Sequence, residues 1–270
     1  MPESTFKLFR WLGRIVAAPG AVFLHVIHIF SVTWAVIVHS TKPSTWSAPA
    51  RNVLARQVLF SGIEGVVFIS LMALLIGVSV VLQASTWLST LGQSTYVGPV
   101  LVVLVVREVG PLMTNFIVIG RSGVAIATEM SEMKVRGEVR VLDSLGIDPF
   151  LYLVVPRVVG VAVSVFALTV VFLVFSFVSG FWVGAVLRPH GASSLVLGRA
   201  VLEALEPIDF VNLLGKSLIP GLFTGAICCV EGLRVGSSVT EVPRAATRAV
   251  AYSVAALIVT SVTITVLTYS

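Results

Sequence analysis

Charge is scarce in this sequence: Asp, Glu, Lys and Arg together make up 11% of its 270 residues, against roughly a quarter in an ordinary soluble domain. With 57% hydrophobic residues and a mean hydropathy of +1.02, that scarcity excludes a soluble globular chain. At about 20 apolar residues per helical crossing, five or six crossings use up the length and leave no room for a separate soluble domain. Cysteine is nearly missing. Cys228 and Cys229 are adjacent in an apolar run, which excludes a disulfide framework and reads as packed thiols. No G-x-x-x-x-G-K-[ST] loop is present, so ATP is not bound in that way, and no H-E-x-x-H or metal-spaced cysteine cluster points to a metal. Gly120-Arg121-Ser122-Gly123 lacks the strand–turn–helix context and the histidine that a nucleophile elbow needs. No catalytic residue, metal or bound cofactor is expected. The first apolar run is followed by basic residues rather than a small-residue cleavage site, so no cleavable signal peptide is expected.

The charge that is present is positive, +5 net, with a pI near 9.6. Basic residues flank membrane spans because they resist translocation, and this accounts for the excess without nucleic acid. Residues 1–19 interleave Lys7, Arg10 and Arg14 with Phe6, Phe9, Trp11 and Leu12, a basic amphipathic segment suited to a membrane surface. Residues 21–39 are almost long enough to cross, but Lys42, Arg51 and Arg56 follow them. An interfacial or re-entrant helix keeps both basic clusters on one side. His25 and His28, three apart on it, read as solvated or headgroup-facing. The chain thus divides into an amphipathic, interfacial segment over 1–57 and a transmembrane domain over 58–270.

Five spans are expected, or six if 21–39 also crosses. The first covers about 58–82, with Glu64 among Ser61, Gly62 and Gly65, small residues that admit a close neighbour. Residues 83–96, uncharged, suit an external hairpin with Trp87 and Tyr96 at the interface. The second span, about 98–119, holds Arg107 and Glu108 just before Gly110-Pro111, a pair that should kink or locally open the helix. Adjacent residues point about 100° apart on a helix, so these two need not pair with each other. Ionisable residues at this depth mark a functional site. Residues 120–149 are densely charged, with Arg121, Glu129, Glu132, Lys134, Arg136, Glu138 and Arg140 set among Met130, Val141, Leu142 and Leu145. They read as one or two surface helices, ended by Gly146 and Pro149, that dock a partner.

The third span, about 150–187, is too long for one straight crossing and carries Gly180 and Gly184 at a close-packing spacing. A short amphipathic helix follows in the external loop. The fourth span, about 211–230, contains Lys216, which snorkels outward or faces a cavity; the fifth is about 249–269. Five crossings with the amino terminus inside put fourteen basic residues on inner segments and two, Arg188 and Arg199, outside. That bias orients the chain with its carboxyl terminus outside.

Three sequence stretches carry a resemblance. Residues 106–157 contain R-E-x-G-P at Arg107, G-R-x-G-x-A-I-x-x-E at Gly120, M-K-V at Met133, L-x-x-x-G-x-D-P at Leu142 and V-x-P-R at Val154. GVSVVLQ before Trp87 and PRAATRAVAYS near the end extend it. Together these resemble the MlaE (YrbE) family, permease subunits of ABC transporters associated with MCE proteins. The resemblance implies an all-α inner-membrane homodimer, multi-pass, with an amino-terminal interfacial helix and five spans per subunit. Cytoplasmic ATPase subunits, which carry the ATP and Mg, would dock beneath it. A hexameric MCE-domain protein would sit on its periplasmic face, with phospholipid as cargo moving between inner and outer membranes.

The resemblance also implies roles for single residues. Lipid contact falls to Val80, Trp87, Leu88, Leu91, Arg107, Glu108 and Lys216, although Trp87 and Leu91 depart from the family's usual residues there. Segment 121–148 becomes the coupling element, with Glu129, Glu132, Lys134, Arg136, Glu138, Leu142, Leu145 and Gly146 toward the ATPase and Gly110-Pro111 as hinge. Arg244 and Arg248 match the family's last cytoplasmic arginines. Two other readings compete. One is a stand-alone ion-coupled transporter using Arg107, Glu108 and Glu64 as a relay, for which inverted repeats are missing. The other is a non-transporting scaffold.

Overall fold

A computed structural model of the protein describes residues 23–93, 96–187, 194–236 and 238–269, and among these the chain is helical with no strand. The amino-terminal amphipathic segment and Arg188 lie outside the described residues. In chain order the helices are α1 (Phe23–Ser40), α2 (Ala48–Thr90), α3 (Val97–Val135) and α4 (Glu138–Ser144). They continue with α5 (Phe150–Val154 running into Val155–Leu187), α6 (Ser194–Ala204), α7 (Pro207–Leu233) and α8 (Val239–Tyr269). Helices α1, α2, α3, α5, α7 and α8 are each long and apolar enough to cross a membrane.

One expected hairpin turns out to be mostly helix, and one expected helix end is missing. α2 runs on to Thr90, through most of the stretch read as a hairpin. Nothing in 83–90 breaks a helix, and the hydroxyls of Thr86, Ser89 and Thr90 donate back to carbonyls of the preceding turn at 2.7–2.9 Å. The chain turns only at Gly92, whose φ is +70°, where a glycine avoids the left-handed penalty. Likewise α3 does not end near residue 119. A π-helical turn over Ile119–Gly123 carries it on to Val135. Glu129, Glu132 and Lys134 therefore ride on the end of a membrane helix. Arg136 sits in the turn, and Glu138 and Leu142 are on α4. The turn is made by Gly137 at φ +78°, and Gly146 at φ +75° closes α4.

Inside a bilayer, helices gain little from burying apolar surface against each other, so close packing through small residues does the work. α2 and α5 meet where a side chain on Gly77 would strike the Ser176 backbone and one on Gly180 would strike Val81. Gly62 faces Ser164 and Gly65 faces Leu168 along the same seam. α5 and α7 run antiparallel, with Gly221 against Ala162 and Gly225 against Val158. The core has two parts. One, around Ile69, Ile126, Met130, Leu168, Phe172, Cys228 and Cys229, fills the half nearest the basic segments. The other, around Val81, Leu101, Val105, Val106 and Val201, fills the far half.

α1 qualifies as a span by length, and contacts at both of its ends fall on the same end of the bundle. His25 meets Glu231 in the last turn of α7, and the His39 ring meets Phe150 at the start of α5. The antiparallel α5–α7 pairing puts both contacts at the same end. A helix of this length laid along α7 would rise about 1.5 Å per residue and finish near the opposite end. Between its ends α1 dips inward, Phe30 packing edge-on against Phe223 at 5.0 Å.

Candidate functional site: two polar clusters at opposite ends

At the far end the site begins with a backbone irregularity. Residues Val102–Val109 form a π-helical segment, and the Gly110 N–H reaches back five residues to the Val105 carbonyl. Pro111 has no N–H to give, so a carbonyl on this turn is left without its helical donor. Lys216 takes it: Nζ donates to the Arg107 carbonyl at 2.8 Å. The opening expected at Gly110-Pro111 is thus a π segment with its free carbonyl plugged. The Asn115 amide braces the same region, donating to the Pro111 carbonyl at 2.8 Å and the Lys216 carbonyl at 3.1 Å.

Arg107 and Glu108 then diverge. The Glu108 Oε1 stands 2.6 Å from Lys216 Nζ and also accepts from the Thr265 hydroxyl at 3.2 Å. Lys216 is 1% exposed, so it neither snorkels nor faces an open cavity. Arg107 points at Asp209, with Nε 2.7 Å from Oδ1 and Nη2 donating to Oδ2 at 3.3 Å. Its guanidinium lies over the Tyr269 ring at 4.5 Å, and the Tyr269 hydroxyl donates to Asp209 Oδ1 at 3.0 Å. Asp209 is buried and also accepts the Glu206 backbone N–H at 3.0 Å, capping the start of α7. Two cations meet three carboxylates here, since the more exposed Glu206 also stands 3.8 Å from Arg107, and the buried pairs tie α3, α7 and α8 together. Charge-assisted bonds in so dry a place are strong, and costly to leave half made.

Of the other lipid candidates, Val80 and Leu88 pack against the cluster of Val105 and Val106. Trp87 and Leu91 do not join them: they are 71% and 69% exposed on the outside of α2.

The basic end is built differently. Glu129 pairs with a buried Arg157 at 2.6 Å, and Glu64 pairs with Arg121 at 2.9 Å. Arg121 also donates to the Phe60 carbonyl at 3.0 Å, inside the π segment Leu59–Ile63. Glu64 thereby serves α2–α3 contact. A cavity of about 420 Å³ opens here, lined among others by Arg56, Glu129, Glu132, Arg136, Glu138 and Arg157. It gathers four of the coupling candidates. α4 beside it has no buried residue. Val139 and Leu142 lean on the core, while Val141 and Leu145, one turn apart, are 57% and 67% exposed. Glu231, fully buried, is met by His25 Nε2 and Arg248 Nε, each at 2.9 Å, and by Arg234 Nη1 at 3.7 Å. His25 is therefore a partly buried neighbour of a carboxylate and not a solvated side chain.

Sequence reasoning missed Asp209, Thr265, Tyr269 and Glu231. Asp209 carried a signal: Glu206-Pro207-x-Asp209 is a helix start with proline at N1 and an acid at N3. The other three had none, since their partners lie far along the chain.

Comparison with known proteins agrees with this architecture. The model of the family described as Permease MlaE matches residues 54–267. A "Probable ABC transporter permease protein" of Rickettsia prowazekii is 28% identical over 255 residues, covering 94% of this chain and 96% of that one. One of Synechocystis is 27% identical over 261 residues, covering 96% and 92%. The chloroplastic protein Trigalactosyldiacylglycerol 1 of Arabidopsis thaliana is 29% identical over 186 residues, covering 68% of this chain and 52% of that one.

Proposed function

The chain belongs to the MlaE permease family, a multi-pass transport permease, and from that premise we propose that a homodimer of it forms the membrane path of an ATP-driven phospholipid transporter. ATP is hydrolysed on separate cytoplasmic ATPase subunits that dock on α4 and the end of α3. An MCE-domain hexamer receives or delivers lipid on the periplasmic face, and the chain sits in a bacterial inner membrane with its amino terminus inside. α1 lies in the inner interface. The observation that carries this reading is the far-end cluster, in which Arg107 is held by Asp209 and Lys216 by Glu108 on the same helix whose Val105 and Val106 pack with Val80 and Leu88. Such a site suits an amphiphile: a phosphate competes with Asp209 for Arg107 while acyl chains lie along the apolar wall. The name of the Arabidopsis relative contains that of a diacylglycerol lipid with a sugar head, which favours a lipid cargo but not a phosphate head.

Movement at α4 reaches this site through α3, which is one continuous helix from Val97 to Val135. Its π segments at Val102–Val109 and Ile119–Gly123 are where the helix can change register without breaking. A stand-alone ion relay fits poorly, because Glu64 is committed to Arg121 and Glu108 to Lys216. The test is reconstitution with the ATPase and a photoreactive residue at Leu88. Lipid labelling and ATP-dependent lipid transfer are expected, both reduced in an assembled Glu108→Ala complex. Unchanged lipid handling in that variant rejects the site; lipid movement driven by an ion gradient with no ATPase rejects the function.

A further inference from the structure

Far from the cluster around Arg107, the basic end holds a second cavity pair. A slot of about 370 Å³ lies between α1, α7 and α8, a size within the roughly 300–1,000 Å³ of ligand sites. Its walls are Ile29, Phe30, Phe223, Ile227, Ala256 and Val259. Thr260 also faces it, but that hydroxyl is already spent on the Ala256 carbonyl at 2.7 Å. Polarity is confined to one end, at Tyr252 and His25. His25 also lines an adjoining cavity of about 680 Å³ that holds His28 and Arg234. The two spaces therefore meet at His25, one apolar and one with basic side chains.

The charge at that junction is unbalanced. Arg234 and Arg248 face the single carboxylate of Glu231. Glu231 is fully buried, whereas Arg234 and Arg248 keep 60% and 47% of their side chains exposed. His25 and Arg248 stand closest to the carboxylate, while Arg234 keeps 3.7 Å from it and reaches the His25 ring nitrogen Nδ1 at 3.3 Å with a guanidinium that is still mostly exposed. A ligand matched to this place has a long apolar chain and an anionic head.

We propose that this is a binding site for an acidic phospholipid of the adjacent leaflet, one acyl chain in the slot and the phosphate beside Arg234. The site is separate from the transport path and stands whether or not the chain moves lipid. Its effect is to clamp α1 to α7 and α8, since the slot is roofed by α1 itself.

The experiment uses the full chain in nanodiscs of phosphatidylcholine, doped with a phosphatidylglycerol that carries a photoreactive acyl chain. Crosslinks are expected on the segments holding Phe30, Phe223 and Ala256, and unlabelled phosphatidylglycerol should compete while phosphatidylcholine should not. Ala256→Phe fills the slot and should abolish those crosslinks. Arg234→Gln alters a mostly exposed side chain that touches only Glu231 and the His25 ring among the described contacts, and should weaken labelling about fivefold, the worth of one basic residue beside an acidic lipid. Equal labelling by a phosphatidylcholine probe, insensitive to Arg234→Gln, overturns the assignment. So does an absence of lipid crosslinks together with a ready disulfide between Val259→Cys copies, which would make the slot a contact between subunits.

Discussion

The two ends of this bundle treat charge in opposite ways. Around Arg107 each cation has a carboxylate partner within the chain, and one member of each main pair is buried: Lys216 and Asp209 are each 1% exposed. Around α4 the carboxylates are half in water, Glu129 at 57% and Glu132 at 49%, and the exposed groups are the apolar Val141 and Leu145. A saturated buried network has one good arrangement and resists change. A short helix with two exposed apolar side chains and no buried residue of its own gains from being covered. The first end is built to hold a geometry, the second to be held by something else.

Cutting the buried network is the harshest way to probe that contrast. Glu108→Ala strands a buried ammonium, and losing one partner of such a pair costs about 3–5 kcal/mol. Thermal unfolding in nanodiscs should show it, and Glu108→Leu with Lys216→Met together should recover most of the loss. If the single and double variants melt alike, the pair is not what holds α3 to α7. Gly137→Ala should come next, at about 1–2 kcal/mol, the penalty of a left-handed non-glycine residue. Nothing stands within 4 Å of a side chain there, so the cost is conformational alone. Faster amide exchange confined to α4 would display it. Leu145→Asp should change stability least, within about 0.5 kcal/mol as for exposed positions generally. That same variant should lose co-purifying ATPase. An unfolded Leu145→Asp chain would mean that α4 belongs to the core after all.

Much of the fold was legible in the residues. The apolar runs located the membrane helices, and the basic residues grouped on one side of them. Gly146 announced the turn that closes α4, whereas Gly137, which opens it, went unread. Element ends were less legible. α2 and α3 overrun their expected limits because Ser, Thr, Glu and Lys continue a helix unless glycine or proline stops it. The candidate site was half legible. Arg107, Glu108 and Lys216 drew attention because a charge in an apolar run is costly. Their partners did not: Asp209 looked like a loop acid, and Thr265 and Tyr269 like ordinary residues of a last span. Trp87 and Leu91, which the resemblance links to lipid, are exposed apolar side chains on the single protomer; a family position says which residue stands there, not what covers it.

Hydrophobicity and charge bias add up along a chain whatever the neighbours do, so composition alone determined a helical membrane protein with its basic segments on one side. Pairing does not add up that way. Arg107 meets Asp209 across 102 residues, and Glu108 meets Thr265 across 157. Which carboxylate neutralises which cation, and whether α1 crosses or lies over the end of the bundle, depends on how close the glycine seams let the helices come. Those choices belong to the packed structure, because only there do residues so far apart share a dry contact.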